Sequence, residues 1–267
     1  MAGMMTGLLL LLLAGVTESR VVDLQKRIIG GVECAKTDRL YHVKLHYTNL
    51  TQRSLCGGSL ISKDWILTAG HCHEQPGSCR TATAVLRVHP GAQARTVVIT
   101  APPEFMIDND GRHDIMLLRL PAPEPGFPTA TLPDCSSRPA LRATVQVAGY
   151  AATTAQADGK KGGLPSSPTL QCADTTVVAC VEKVCPLFKL PNYYNNNKVF
   201  CYKRDNVDTS PGDSGGGVVF NGMIYGVHIR GGKYACDTPG MAMDVCEYRD
   251  WITRVTGIAF PLQSVTG

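Results

Sequence analysis

The sequence predicts an all-β chain of antiparallel sheets or barrels, closed by one short C-terminal helix. Short β-rich runs recur at 41–47, 59–68, 84–88, 95–100, 115–120, 144–148, 217–220 and 223–229. Gly, Pro and Asn breakers separate them, so each run has the length and punctuation of a strand. Helical spacing emerges near the end, where Tyr248, Trp251, Ile252 and Val255 fall on one face. No internal repeat or low-complexity tract interrupts this pattern.

The first element is a leader. Residues 7–16 form an unbroken apolar run, followed by Thr17-Glu18-Ser19-Arg20. A core this short suits a cleaved secretory signal over residues 1–19 better than a membrane anchor, although its start carries no Lys or Arg. Roughly 240 residues follow that leader. That length is enough for one large domain or two small ones sharing a core. The net charge of +4 is spread along the chain without a basic run, so nucleic-acid binding is not suggested. Eleven cysteines in a secreted chain imply disulfides with at least one sulfur left over. The cysteines form no CxxC pair and there is no HExxH, so zinc ligation is not expected.

Three motifs carry the chemistry. Gly212-Asp213-Ser214-Gly215-Gly216 presents a serine among glycines, Thr68-Ala69-Gly70-His71-Cys72 supplies a histidine, and His113-Asp114 precedes an apolar run. A serine hydroxyl is a weak nucleophile until a base takes its proton. A neutral imidazole can do that, and a carboxylate can hold its tautomer and stabilise the imidazolium. The order His71, Asp114, Ser214 is that of the chymotrypsin branch. The chain from Ile28 onward therefore resembles the secreted trypsin-like serine proteases. His113 reads as a solvated neighbour of Asp114, and His42, His46, His73, His89 and His228 read as structural.

The resemblance implies two six-stranded antiparallel β-barrels and a C-terminal helix, with the barrels dividing near 125–140, where prolines crowd the chain. His71 and Asp114 would come from one barrel and Ser214 from the other, with the N–H groups of Gly212 and Ser214 as the oxyanion hole. It also implies disulfides Cys56–Cys72, Cys34–Cys172 and Cys135–Cys246, with Cys201 paired to Cys180 or Cys185 and Cys185 preferred. Cys79 and Cys236 are left unassigned. Lys26-Arg27-Ile28-Ile29 looks like a zymogen junction, which would make residues 20–27 an activation propeptide and residues 28–267 the protease domain. Cleavage after Arg27 would free the Ile28 amine to pair with Asp213 and order the oxyanion loop.

Asp208, six residues before Ser214, matches the acid at the base of the trypsin primary pocket and implies cleavage after Arg or Lys. Gly231 and Gly240 match the glycines that leave that pocket open. Several neighbours depart from the family. Ser210 and Tyr234 stand where a pocket-bracing disulfide is usual, and Pro211 precedes Gly212. Ile229-Arg230-Gly231 replaces Ser-Trp-Gly, Ala242 replaces a pocket-wall tyrosine, and Tyr150 replaces a tryptophan. Val145 with Phe220 replaces another disulfide. Arg230 is expected either to reach Asp208 and neutralise it or to recruit an acidic substrate residue.

Residues 83–98 hold no acidic side chain, so the family's calcium loop has no counterpart and neither metal nor cofactor is expected. Asn49-Leu50-Thr51 is a glycosylation sequon. The expected protein is a secreted, monomeric serine endopeptidase made as a zymogen. Its partners would be a protein or peptide substrate, an activating protease and protease inhibitors, with no membrane anchor. The rival is a non-catalytic homologue that binds a partner through its altered cleft; a further alternative is a protease with non-tryptic specificity.

Overall fold

The computed structural model describes residues 28–48, 53–73, 81–91, 93–180 and 198–261. Two seven-stranded antiparallel sheets account for most of them. The first contains β2 (His42–Thr48), β3 (Arg53–Leu60), β4 (Trp65–Thr68), β5 (Thr81–Leu86), β6 (Arg95–Ile99), β7 (Glu104–Asp108) and β8 (Gly111–Arg119). Its order is β6-β5-β2-β3-β4-β8-β7. The second contains β1 (Val32–Glu33), β9 (Thr144–Gly149), β10 (Gln171–Val178), β11 (Val199–Lys203), β12 (Gly217–Phe220), β13 (Met223–Arg230) and β14 (Gly240–Asp244).

In the second sheet β9 pairs with both β12 and β10, which closes six strands into a barrel and leaves β1 on its outside. The first sheet curls without that closing pair among the described residues, making a half-barrel. The all-β expectation holds, with this asymmetry added. The link between the two sheets runs from the end of β8 to the start of β9, and Cys135–Cys246 ties it to the end of β14.

Local sequence explains the elements. In β2, His42, Val43, Leu45 and Tyr47 are buried while Lys44, His46 and Thr48 are only partly covered, the alternation of a half-buried strand. The run 59–68 is two strands, not one. Ser62 Oγ donates to Asp64 Oδ1 at 2.9 Å and accepts from the Asp64 amide at 3.3 Å, making a turn that hands β3 to β4. The terminal helix α1 (Arg249–Thr256) buries Trp251 and Ile252. It ends at Gly257, whose φ of 72° suits glycine and whose amide donates to Thr253 O at 2.8 Å.

The main core joins both sheets and α1 through Leu45, Leu67, Leu117, Val227, Met243 and Ile252. A second cluster gathers Ile28, Val145, Val147 and Val218, with Phe220 packed against it. Val145 and Phe220, expected in place of a disulfide, share this apolar cluster, where burial is worth about 25 cal/mol per Å².

Candidate active site

His71 lies in a 3-10 turn, Gly70–Cys72, immediately after β4. Cys56–Cys72 staples that turn to β3. Gly70 lets it approach β8: a Cβ there would lie 3.1 Å from the His113 carbonyl. Opposite stands Asp114. Its Oδ2 is 2.8 Å and its Oδ1 3.0 Å from His71 Nδ1, and Oδ1 also accepts the His71 amide at 2.8 Å. A carboxylate only accepts, so Nδ1 carries a proton and, in the neutral ring, Nε2 keeps its lone pair.

Ser214 is held against the first sheet from below. Gly57 N donates to Ser214 O at 2.7 Å. A side chain at Gly215, whose φ is +86°, would overlap Thr68 Oγ1 and the Gly57 carbonyl. Gly215 N donates to His228 O at 2.7 Å, and His228 N to Gly216 O at 2.9 Å, anchoring the same loop to β13. Gly212 has φ +117°, a conformation that leaves its amide to glycine alone, and a Cβ there would sit 3.2 Å from Ala151 Cβ. Ser214 lines a cleft of about 210 Å³ together with Lys161, Ser210, His228, Arg230 and Gly231.

Beneath the loop, Asp213 is 1 % exposed. Its Oδ1 accepts from Ala151 N and its Oδ2 from Ser210 N, both at 2.9 Å. Burial pushes its carboxyl up to about 6, and those two amides offset part of the effect. Ile28 is buried in the apolar cluster beside Val145 and Val147. Its nitrogen is a peptide nitrogen in this uncleaved chain, so it carries no charge with which to pair Asp213. Arg27, Asn49, Cys79 and Cys185 lie outside the described residues.

Several expectations need correction. The first concerns Asp208, read as an open pocket acid. Its Oδ2 is 2.8 Å from Lys161 Nζ, with the two side chains only 5 % and 2 % exposed. The carboxylate also accepts from Thr209 N and Cys236 N, each at 2.8 Å. Of the two expectations for Arg230, the bond to Asp208 is not made, and the residue lines the cleft instead. Asp208 itself is absent from the cleft lining and faces a separate void of about 10 Å³. Gly240 does not open the pocket either. A Cβ on it would meet Tyr202 Cε2 at 2.5 Å, so its missing side chain makes room for that ring. Tyr202 in turn bonds His228 Nδ1 through its hydroxyl at 2.5 Å. Burial, then the charges of Lys161 and His71, lowers His228 to about 3, so the ring is neutral.

The disulfide preference is the second correction. Cys201 joins Cys180, not Cys185, because β10 and β11 pair Val178 with Cys201 and bring Cys180 to a Cα separation of 5.2 Å. The Cys34–Cys172, Cys56–Cys72 and Cys135–Cys246 bridges are present as expected, and Cys236 is the free cysteine among the described residues. His113 is the third: it is 1 % exposed, with Nε2 2.9 Å from Asp108 Oδ1 and Nδ1 2.9 Å from Tyr248 Oη. Strand alternation carries the signal, since Asp114 facing the cleft turns His113 to the interior. Lys161 escaped the sequence reading altogether, as nothing in its spacing marks it.

Comparison with known proteins agrees with this architecture. The family model described as Trypsin matches residues 28–252. The chain belongs to the trypsin family. Trypsin-1 of Gadus morhua is 31% identical over 241 residues, covering 85% of this chain and 90% of the relative. Trypsin-3 of Salmo salar is 30% identical over 239 residues, covering 86% and 93%. Kallikrein-8 of Homo sapiens is 28% identical over 262 residues, covering 94% and 95%. Among solved structures, the scabies mite inactivated protease paralogue S-I1 aligns with a TM-score of 0.65 at 23% identity, covering 85% of this chain and 98% of that one. That likeness concerns the fold alone. Among the described residues of this trypsin-family chain, no helix is long and apolar enough to cross a membrane.

Proposed function

We propose that this trypsin-family chain is a secreted serine endopeptidase made as a zymogen. The observation that carries the reading is the two-oxygen grip of Asp114 on His71, which sets the tautomer a general base needs. Cleavage after Arg27 frees the Ile28 ammonium, which gives the buried Asp213 carboxylate a counter-charge and fixes the oxyanion loop.

In the processed enzyme Ser214 Oγ attacks the scissile carbonyl while His71 Nε2 takes its proton. The oxygen of the tetrahedral intermediate accepts from the amides of Gly212 and Ser214. As the C–N bond breaks, His71 gives the proton to the leaving amine and an acyl-enzyme remains. Water then attacks that ester, its proton passes to His71, and Ser214 is regenerated when the acid product leaves. The substrate is a protein or peptide, and the enzyme acts as a monomer open to protease inhibitors.

The test is labelling of Ser214 by a fluorophosphonate after processing at Arg27, with Ser214→Ala as control. Serine-dependent labelling supports the endopeptidase, and its failure in a folded, processed protein sinks it. The second reading, a non-catalytic binder, draws support from the occupied pocket and from Ile229-Arg230 in place of the usual substrate-pairing strand.

A further inference from the structure

We infer that Lys161 is a built-in occupant of the primary specificity pocket, doing internally what a substrate arginine or lysine does in an ordinary trypsin. The inference rests on the protease reading above and concerns which side chain may precede the scissile bond.

The backbone fixes Lys161 over the pocket. Ala235 N donates to Gly159 O and Lys161 N to Lys233 O, both at 2.9 Å, flanking a bridge between Lys160 and Tyr234. This short ladder couples the 159–161 loop to the 233–235 segment, where the family uses a disulfide. On the far side a Cβ at Gly162 would lie 3.4 Å from Pro211 Cγ, so the loop also packs on the oxyanion segment. From this anchorage the Lys161 side chain reaches inward to Asp208.

Its head lies in the path a substrate side chain would take. An added Cβ at Gly231, on the wall of the cleft, would meet Lys161 Nζ at 2.9 Å before reaching Asp208 Oδ1 at 3.5 Å. The cleft beside Ser214 accordingly ends at Lys161 rather than at the acid. A second cation entering would be repelled by the first and would find Asp208 Oδ2 already bonded to an ammonium and an amide, with Oδ1 accepting a second amide. The walls are Thr209, Ser210 and a neutral, buried His228. Because Lys161 closes its base, the cleft fits a short uncharged residue such as Ala, Ser, Thr or Val rather than one long enough to reach Asp208. Lys161 is thus a specificity-determining residue.

The test uses full-length protein processed at Arg27. Benzamidine, an amidinium probe, reports on Asp208 without requiring catalysis. Wild type is expected not to bind it at millimolar concentration and to cleave a peptide library after short uncharged residues. Lys161→Ala should bind benzamidine and gain cleavage after Arg on the order of 100-fold. Lys161→Met, which keeps the apolar stem, serves if the alanine variant does not fold. Benzamidine binding by wild type, or a library profile led by Arg and Lys, overturns the inference. So does a folded variant that gains neither property. Should neither variant fold, the wild-type profile decides in the same terms. Fluorophosphonate labelling, run in parallel, separates failure of this inference from failure of the protease reading.

Discussion

Tyr248 Oη and His113 Nδ1 are 2.9 Å apart, joining the turn that opens α1 to the strand residue next to Asp114. His113 Nε2 faces the Asp108 carboxylate, which can only accept, so Nε2 carries a proton while Nδ1 lies against the tyrosine hydroxyl. Lys198 completes the cluster at 2.9 Å from Asp108 Oδ2, and its hydrogen bond, with help from His113, holds the Asp108 carboxyl down near 2. Tyr248→Phe should cost about 1–3 kcal/mol, because it strips a partner from a buried ring nitrogen. Urea unfolding would measure this, and an unchanged midpoint would rule out a stabilising role for the contact.

Asp114→Asn should leave the fold intact and slow labelling of Ser214 by about 10⁴-fold. An amide NH₂ facing His71 favours the tautomer with Nδ1 as acceptor, which places the proton on Nε2 where the base is needed. Labelling rates on processed protein decide it, and a loss below tenfold would remove Asp114 from the triad.

Asp213 gives the precursor a pH signature. Its folded carboxyl titrates near 6, above the ordinary value of 3.8, so folding takes up a proton between those limits. The contribution is fully present below about pH 4 and is lost as pH rises through about 6. Its size is on the order of 3 kcal/mol. Under the proposed zymogen reading, processing would supply an ammonium and reverse the penalty. The melting temperature of processed protein should therefore pull ahead of the precursor between pH 4.5 and 7.5, and Asp213→Asn in the precursor should flatten its share. A gap that stays constant with pH counts against the latch.

Gly149→Ala probes the same acid sterically. A Cβ at residue 149 would overlap the Asp213 carboxylate, which has Ala151 N and Ser210 N as fixed partners. Overpacking of this kind costs about 1–3 kcal/mol and should also displace the oxyanion loop. Reduced stability with unimpaired labelling would show that the loop tolerates the shift.

Peptide mapping of unreduced protein should recover Cys180 joined to Cys201. The bridge closes a segment with a sequence separation of 21, so Cys180→Ser should lose about 3 kcal/mol by chain-entropy reasoning. Recovery of a Cys185–Cys201 peptide would reverse the assignment.

Where burial alternates within one strand, as in β2, the sequence alone marks the element. It does not mark β14, Gly-Met-Ala-Met-Asp, which has no β-branched residue and is a strand because β11 and β13 flank it. The candidate catalytic motifs are legible for a related reason, since each holds its chemistry within a few adjacent residues. Lys161 acts on a residue 47 positions away through a loop without periodicity, and only the folded chain brings the two together. The choice between Cys180 and Cys185 likewise depends on the register of β10 against β11, which cysteine spacing does not carry.

The ladder between 159–161 and 233–235 bears on how the zymogen begins to work. The junction to be cut ends in Lys26-Arg27, a basic step. A protein whose own basic socket is taken by Lys161 cannot process a second copy at that junction. Under the proposed reading, precursor conversion should therefore show no acceleration by its own product and should follow the dose of a separate basic-specific protease, leaving the onset of activity under that protease's control.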